Sequence, residues 1–348
     1  MMIPGAARDG DEPRTGEMIR MSDPAEQDAP IDGLADSLRG RLHRGESPIL
    51  RTQHEEYRLV REVGRGRSGI VYEALHGSPG RRVALRLLDP ARFGRPIHLG
   101  RFLMDSYALS QLRHPEIATV LDAGDHEGRP FYVMPFVAGP RLDRVLDDRR
   151  RLDAPADPAD DARAIRRVAA TLQHLHDRGV LHLDIRPANL AMGAGGEVWV
   201  MNLAMPAAGD ADAMDGLRYH APERTRGRLD QRSEVYALGL TLYEMLTLRP
   251  AFDAADREQL IRRITQDGPP PIRHLRPTLS RDLATIVETA IAPDPARRYP
   301  TAAALADDLG RWLGGEPIRA RRPLAPIRLA RWARRNLATA AVALLARR

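Results

Sequence analysis

Hydrophobic residues recur at every second position in several short runs in the first part of the chain. Such alternation is typical of strands that bury one face, and glycine or charged residues separate the runs. One stretch, 99–112, instead carries apolar residues at helical spacing. We predict strands at 57–64, 70–75, 83–88 and 131–137.

Helical spacing dominates the second half of the chain. The run 159–178 has acidic residues near its start and Gly179 at its end, as helices commonly do. Its apolar stripe consists of Ile165, Val168, Ala169, Leu172 and Leu175. Further helices are predicted at 234–246, 257–264, 282–291 and 302–312, and a short strand at 197–201. A strand-rich part followed by a helix-rich part indicates the α+β class with two lobes.

The composition is that of a folded protein. Of the 348 residues, 43% are apolar and 29% are charged. Cysteine is absent, which excludes disulfides and thiolate metal sites, and we expect a cytoplasmic protein.

The two ends of the chain differ from its middle. Residues 1–56 are rich in Asp, Arg, Gly and Pro, and we predict a mostly disordered arm with a short helix near 34–42. A basic tail is predicted at 314–348. The domain between them is predicted at 57–313, with a small lobe at 57–137 and a large lobe at 138–313.

A glycine-rich turn joins the first two predicted strands. Gly64, Gly66, Gly69 and Val71 match the pattern G-x-G-x-x-G-x-V. Glycine lets backbone amides approach phosphate oxygens, because no Cβ atom stands in the way. A plain hairpin turn explains this motif equally well. A dinucleotide-binding fold is disfavoured, because a strand and not a helix follows the turn.

A second group of motifs follows in the large lobe. His182, Asp184 and Asn189 match H-x-D-x-x-x-x-N, and a strand leading to Asn202 comes next. Further matches are Ala221-Pro222-Glu223, the helix start at Glu234 and Asp294-Pro295-Ala296-Arg297-Arg298. The order, spacing and element types resemble the signature set of protein kinases. Residues from about 57 to 312 are similar to a bacterial, eukaryotic-like serine/threonine kinase.

The resemblance implies a two-lobed protein-kinase fold with an ATP cleft between the lobes. The glycine-rich turn would cover the phosphates, and Met134 would be the gatekeeper before the hinge. Residues implied to contact the adenine are Val71, Ala84, Leu190, Pro135 and Val137. Pro135 cannot donate a backbone hydrogen bond but retains its carbonyl. A cleft filled by collapsed side chains is the alternative.

The resemblance also assigns catalytic positions. Asp184 stands where the base accepts the proton of the substrate hydroxyl, Arg186 at the catalytic-loop lysine and Asn189 at a metal ligand. Their alternative role is to hydrogen-bond within the loop. Arg86 stands at the phosphate-binding lysine and Asp105 at its helix partner. His182 is implied to be structural, and Glu223 to pair with Arg298.

The departures from the family bear on magnesium. Asn202 replaces the aspartate that is the principal metal ligand, and Ala204 replaces the glycine of that loop. Magnesium prefers carboxylates, and electrostatic terms of this kind are worth ~3–4 kcal/mol each. We therefore expect a degraded magnesium site at Asn189 and Asn202, and weak ATP binding with little dependence on magnesium.

Other departures concern regulation. Leu183 replaces the arginine that docks a phosphorylated activation loop, and 205–220 contains no Ser or Thr. Phosphorylation on Ser or Thr therefore has neither a site nor a receptor there. Arg86 and Arg186 carry less weight, because the sequence contains no lysine and all 53 basic residues are arginine.

Three functions fit these residues. The leading hypothesis is a pseudokinase that acts on other proteins as a signalling scaffold or regulator. The second is an active serine/threonine kinase that uses Asp184 with a weakened magnesium site. The third is an interaction domain whose cleft binds nothing.

The tail adds a hypothesis about partners. Seven arginines interleave with apolar residues and Trp332 between 319 and 337, a pattern typical of contact with an anionic membrane. A truncated transmembrane anchor and a solvated charge run are the alternatives. We expect no nucleic-acid binding, because only one aromatic residue lies among the arginines.

Overall fold

The structure is a computed structural model with a β-rich small lobe and a helical large lobe. This confirms the predicted α+β class with two lobes. The residues that it describes are 33–52, 54–66, 69–89, 114–193, 195–203 and 214–321. The calls that fall outside them are the helix at 99–112, Asp105, Ala204 and the tail after Arg321.

A six-stranded antiparallel sheet builds the small lobe. Its strands are β1 Ile49–Arg51, β2 Glu56–Gly66, β3 Gly69–His76, β4 Arg81–Leu88, β5 Asp122–His126 and β6 Arg129–Pro135, in the order β1-β2-β3-β4-β6-β5. On β4, Val83 and Leu85 pack into one apolar cluster, and Ala84 and Leu88 pack into another on the opposite face. Four of the strands were predicted. The polar strand β5 was not, because its conformation comes from pairing with β6.

A helix and a strand precede the predicted start of the domain. Helix α1, Gly33–His43, confirms the short helix expected near 34–42 and buries Ala35 and Leu38. Strand β1 pairs with β2, which places the fully buried Leu50 opposite Tyr57. Of the predicted arm, residues 44–52 are thus ordered beyond the helix that was expected. The few apolar residues of this segment find partners only in the folded sheet.

One helix, Gln231–Thr247, is the buried centre of the large lobe. The helices are α2 Leu142–Arg151, α3 Pro158–His176, α4 Met214–Leu217, α5 Gln231–Thr247, α6 Arg257–Arg262, α7 Ile272–Leu275, α8 Arg281–Ala290 and α9 Ala302–Leu313. The large lobe also contains a two-stranded hairpin of β7 Leu190–Met192 and β8 Val198–Val200. Helix α5 begins with a capping box of Asp230 and Ser233 and packs against α3 and α8. A Cβ atom at Gly239 would lie 2.7 Å from Ala290 Cβ, so glycine permits the close contact with α8.

The predicted helices of the large lobe are all present. Helix α2 was not predicted, because only Leu142, Val145 and Leu146 interrupt its charged sequence. The predicted boundary at 313 is also too early. Asp308, within α9, is fully buried and accepts hydrogen bonds from the backbone N–H groups of Arg319, at 2.7 Å, and Ala320, at 2.8 Å. No helix within the described ranges has the length and apolar character needed to cross a bilayer.

Candidate functional site

A continuous chain of hydrogen-bonded side chains joins β4 of the small lobe to the loop before β7. Nη1 of Arg86 donates to Oδ1 of Asn202 at 3.1 Å, and Nδ2 of Asn202 donates to Oδ1 of Asn189 at 2.7 Å. Nδ2 of Asn189 donates to Oδ2 of Asp184 at 2.6 Å and to its backbone carbonyl at 2.7 Å. Nε of Arg186 donates to the same Oδ2 at 3.1 Å. Five predicted site residues thus lie together.

The direction of these hydrogen bonds is set by the charges at the ends. Arg86 has only donors, so the oxygen of Asn202 must face it and the amide nitrogen must face Asn189. Asn189 then turns its own nitrogen toward the carboxylate of Asp184. Both amide oxygens that a metal would contact are therefore already acceptors. Tyr132, which sequence reasoning missed, adds its hydroxyl 3.4 Å from Nη1 of Arg86.

The cleft lacks the carboxylate that is the family's principal metal ligand. Magnesium requires oxygen ligands with negative charge nearby, whereas Asn202 and Asn189 supply neutral amides. A cation at Oδ1 of Asn202 would lie beside the guanidinium of Arg86, 3.1 Å from that oxygen. In the part of the chain that the structure describes, no group of three His, Asp or Glu side chains could hold a metal ion.

Asp184 retains the geometry of a base position. Both side-chain donors, Asn189 and Arg186, contact Oδ2, and no described residue donates to Oδ1. The side chain is 24% exposed. His182 is buried, with Nε2 2.8 Å from the carbonyl of Met201, and accepts from the N–H of Asp184 at Nδ1. This confirms its structural role.

The loop between His182 and Asp184 is held in a strained conformation. Leu183 has φ of +70°, a left-handed value that costs a side-chain-bearing residue of order 1 kcal/mol or more. Glu234 of α5 accepts the N–H of Leu183 at 2.6 Å and contacts Nε2 of His176 at 2.6 Å. Glu234 thus anchors the backbone of this loop. Asn202 is likewise left-handed, with φ of +61°.

Three of the predicted nucleotide-site residues lie close together. Val71, Ala84 and Met134 share one cluster on the cleft face of the sheet, and Ala84 lies opposite Met134 in the β4–β6 pairing. Leu190 is fully buried in the core of the large lobe. Pro135 ends β6 and Val137 follows it, half-buried. Their contact with adenine stays a prediction.

The three glycines of the turn are not equivalent. A Cβ atom at Gly69 would lie 2.0 Å from the carbonyl oxygen of Leu87, so the small lobe itself requires glycine there. A Cβ atom at Gly64 or Gly66 would meet nothing within 4 Å. Packing against the described residues does not explain glycine at these two positions.

The ion pair between Glu223 and Arg298 is confirmed. Nη1 and Nη2 of Arg298 donate to the two carboxylate oxygens at 2.6 and 2.7 Å, and the arginine side chain is fully buried. Its guanidinium also lies 4.6 Å from the ring centroid of Tyr236. This pair ties the Ala221-Pro222-Glu223 segment to the base of the large lobe.

A small recess of about 20 Å³, which sequence reasoning missed, opens beside Asp184. The exposed Leu183 and Leu229 lie on its wall, with Tyr219 and Arg224. Below it, Glu244 accepts hydrogen bonds from Tyr219 and Arg150, and burial raises the pKa of the Glu244 carboxyl. No local motif indicated this network, because its members come from three distant segments.

The fold and the cleft define a two-lobed protein-kinase domain, and comparison with known families agrees. Residues 57–309 match the model of the protein kinase domain. The chain belongs to the protein kinase family, and more particularly it is a serine/threonine protein-kinase domain similar to bacterial ones.

Two curated relatives illustrate this similarity. A probable serine/threonine-protein kinase of Corynebacterium efficiens is 34% identical over 273 residues, which cover 73% of this chain and 41% of the relative. The serine/threonine-protein kinase PknB of Mycobacterium tuberculosis is 30% identical over 277 residues, which cover 76% of this chain and 44% of the relative. The chain thus spans about two fifths of the length of these relatives.

A solved structure has the same fold. The crystal structure of the Mycobacterium tuberculosis PknI kinase domain aligns with a TM-score of 0.60 and 27% sequence identity. The alignment covers 73% of this chain and 95% of that one.

Proposed function

We propose that this chain is a pseudokinase, a kinase-fold domain that regulates or scaffolds other proteins without efficient phosphoryl transfer. One observation carries the proposal: the hydrogen bonds from Arg86 through Asn202 and Asn189 to Asp184 occupy the oxygens that would hold magnesium. Phosphoryl transfer depends mainly on positioning and on neutralising phosphate charge with metal ions. A cleft that lacks the principal metal carboxylate would lose much of what the metal adds to both.

Nucleotide binding is a separate part of the proposal. The cations of Arg86 and Arg186 lie in the cleft, and the open space above Gly64 and Gly66 admits phosphates. Arginine binds phosphate oxygens through a planar fork of donors. We therefore expect weak ATP binding in which arginine, and not magnesium, supplies most of the positive charge.

The alternative function is an active serine/threonine kinase, and one observation favours it. Oδ1 of Asp184 accepts no hydrogen bond from a described residue, and the side chain is accessible. A substrate hydroxyl could transfer its proton there if a nucleotide displaced Arg86 from Asn202 and freed the amide oxygen.

A paired assay separates these functions. Thermal stability is measured with ATP in the presence of either magnesium or a chelator, and transfer of radiolabelled phosphate to a generic basic protein is measured in parallel. We expect equal thermal shifts with and without magnesium, and no transfer above that of Asp184→Ala. Transfer that disappears in Asp184→Ala would establish the active kinase. A complete absence of thermal shift would leave only the interaction domain.

We also propose that the arginine-rich tail contacts an anionic membrane surface. Arg319 and Arg321 are exposed where the described residues end, and further arginines follow. Co-sedimentation with vesicles tests this: the full chain should pellet with phosphatidylglycerol vesicles and not with pure phosphatidylcholine, and a chain ending at Arg321 should stay in solution. Equal pelleting of both chains would contradict the proposal.

A further inference from the structure

Helix α1 and strand β1 lie before the region that matches the kinase family, yet they are part of the small lobe. The family match begins at residue 57. Ala35 and Leu38 of α1 are each 1% exposed and pack in the same cluster as Leu59 and Tyr72 of the sheet. An element buried to this extent constrains the strands that it covers.

The two edges of the sheet are also joined through this extension. The hydroxyls of Thr52, just after β1, and Tyr57 both donate to Oδ2 of Asp122 on β5 at 2.8 Å. The edge strands β1 and β5 therefore approach each other, and the sheet curls toward a closed barrel with α1 packed against it. The extension is thus held to the lobe at several separate places.

A charged clamp connects α1 to the glycine-rich turn. Nε and Nη2 of Arg39 donate to the two carboxylate oxygens of Glu62, each at 3.1 Å. The same carboxylate accepts from Nε and Nη2 of Arg65 at 3.2 and 3.3 Å. Arg65 lies between Gly64 and Gly66, and its side chain is only 13% exposed. One carboxylate therefore links the helix to the turn.

The clamp lies where the backbone pairing is weakest. The β2–β3 register shifts between Glu62 and Gly64, so the ladder is interrupted at the start of the turn. Gly64 and Gly66 contribute no side-chain packing. Burial alone would raise the pKa of the Glu62 carboxyl, but the hydrogen bonds from Arg39 and Arg65 lower it below its usual value. The carboxylate thus stays charged and keeps both arginines.

We propose that α1 is a positioning element for the glycine-rich turn, acting through Arg39, Glu62 and Arg65. With α1 docked, residues 62–66 at the start of the turn keep one conformation. When the clamp is lost, these residues become mobile. The effect on ATP affinity rests on the proposed nucleotide binding, whereas the effect on the mobility of the turn does not. A partner or modification that displaces α1 would then alter the cleft from outside it.

The test compares two arginines of the same helix in the full chain. Arg39→Ala removes the clamp, and Arg41→Ala removes an arginine whose one side-chain partner among the described residues is the exposed Glu46, at 2.8 Å. Hydrogen exchange of the amides of 62–66 is measured without nucleotide. We expect about 3- to 10-fold faster exchange in Arg39→Ala than in Arg41→Ala, because a partly buried bidentate pair is lost. Arg39→Lys should fall between them, because it keeps the charge without the fork.

The outcomes are distinct. Equal exchange in Arg39→Ala and Arg41→Ala would overturn the positioning role. If the effects of Arg39→Ala and Arg65→Ala on exchange simply multiply in the double variant, the two arginines do not act through Glu62, and the clamp is refuted. The concentration of ATP at half-maximal thermal shift should rise in Arg39→Ala and not in Arg41→Ala. Faster exchange with unchanged ATP affinity would refute the link to the cleft, and a lack of ATP binding in the parent chain would refute the proposed nucleotide binding only.

Discussion

Arg298→Ala should lower the free energy of unfolding by about 3–5 kcal/mol, because it leaves a buried acceptor set without its donor. The side chain is fully buried and donates to Glu223, to the carbonyls of Ala292 and Arg232 at 2.7 and 3.0 Å, and to that of Pro293 at 3.0 Å. With alanine at this position, the carboxylate of Glu223 and three backbone carbonyls would lose their hydrogen-bond donor. For a lobe of this size the melting temperature should fall by roughly 6–20 °C, as measured by differential scanning fluorimetry.

The adjacent residue provides the control. Arg297 is exposed, so Arg297→Ala removes the same charge and should change the free energy of unfolding by less than about 0.5 kcal/mol. Equal melting temperatures for the two variants would contradict the assignment.

The pH dependence gives a second readout for this pair. Burial alone would raise the pKa of Glu223, but Arg298 and Ser233 lower it below its usual 4.5. The stabilisation is therefore complete above pH 4.5 and is lost as the pH falls through the lower folded value. This component of acid destabilisation should be absent in Arg298→Ala.

Asn202→Asp should make ATP binding depend on magnesium, with at least a ~10-fold gain in affinity when the metal is added. The substitution has two effects at once. It supplies the missing negative charge, and it removes the Nδ2 donor that occupies Oδ1 of Asn189. The measurement is the ATP-induced thermal shift as a function of magnesium concentration, in parent and variant.

Asn202→Ala separates the two effects. It frees Oδ1 of Asn189 without adding a carboxylate, so it should not create dependence on magnesium. A parent chain that already binds ATP much more tightly with magnesium would contradict the proposed role of Asn202, and so would an Asn202→Asp variant that behaves like Asn202→Ala.

Much of the fold could be predicted from local patterns. The strands at 70–75 and 83–88 and the helix at 159–178 have regular apolar periodicity, and the structure contains them as β3, β4 and α3. Strand β5 and helix α2 lack such a pattern, because each is mostly polar. Their conformations depend on β6 and on the core of the large lobe, respectively.

The candidate site shows the same division. Motif spacing was enough to select Asp184, Asn189 and Asn202, because the chemistry of a kinase needs defined residue types in a defined order. Spacing could not show that Arg86, 116 residues before Asn202, would donate to it. That contact depends on how the two lobes meet.

The sequence by itself determined the kinase family, the loss of the metal carboxylate at Asn202 and the absence of Ser and Thr from 205–220. Only the tertiary structure decided that the amide oxygens of Asn189 and Asn202 are engaged, that residues 33–51 belong to the small lobe and that Arg39 reaches the glycine-rich turn. The physical reason is the separation along the chain of the residues that determine each feature. Residue type and periodicity are local properties, whereas the direction of a hydrogen bond between distant segments depends on the folded positions of both partners.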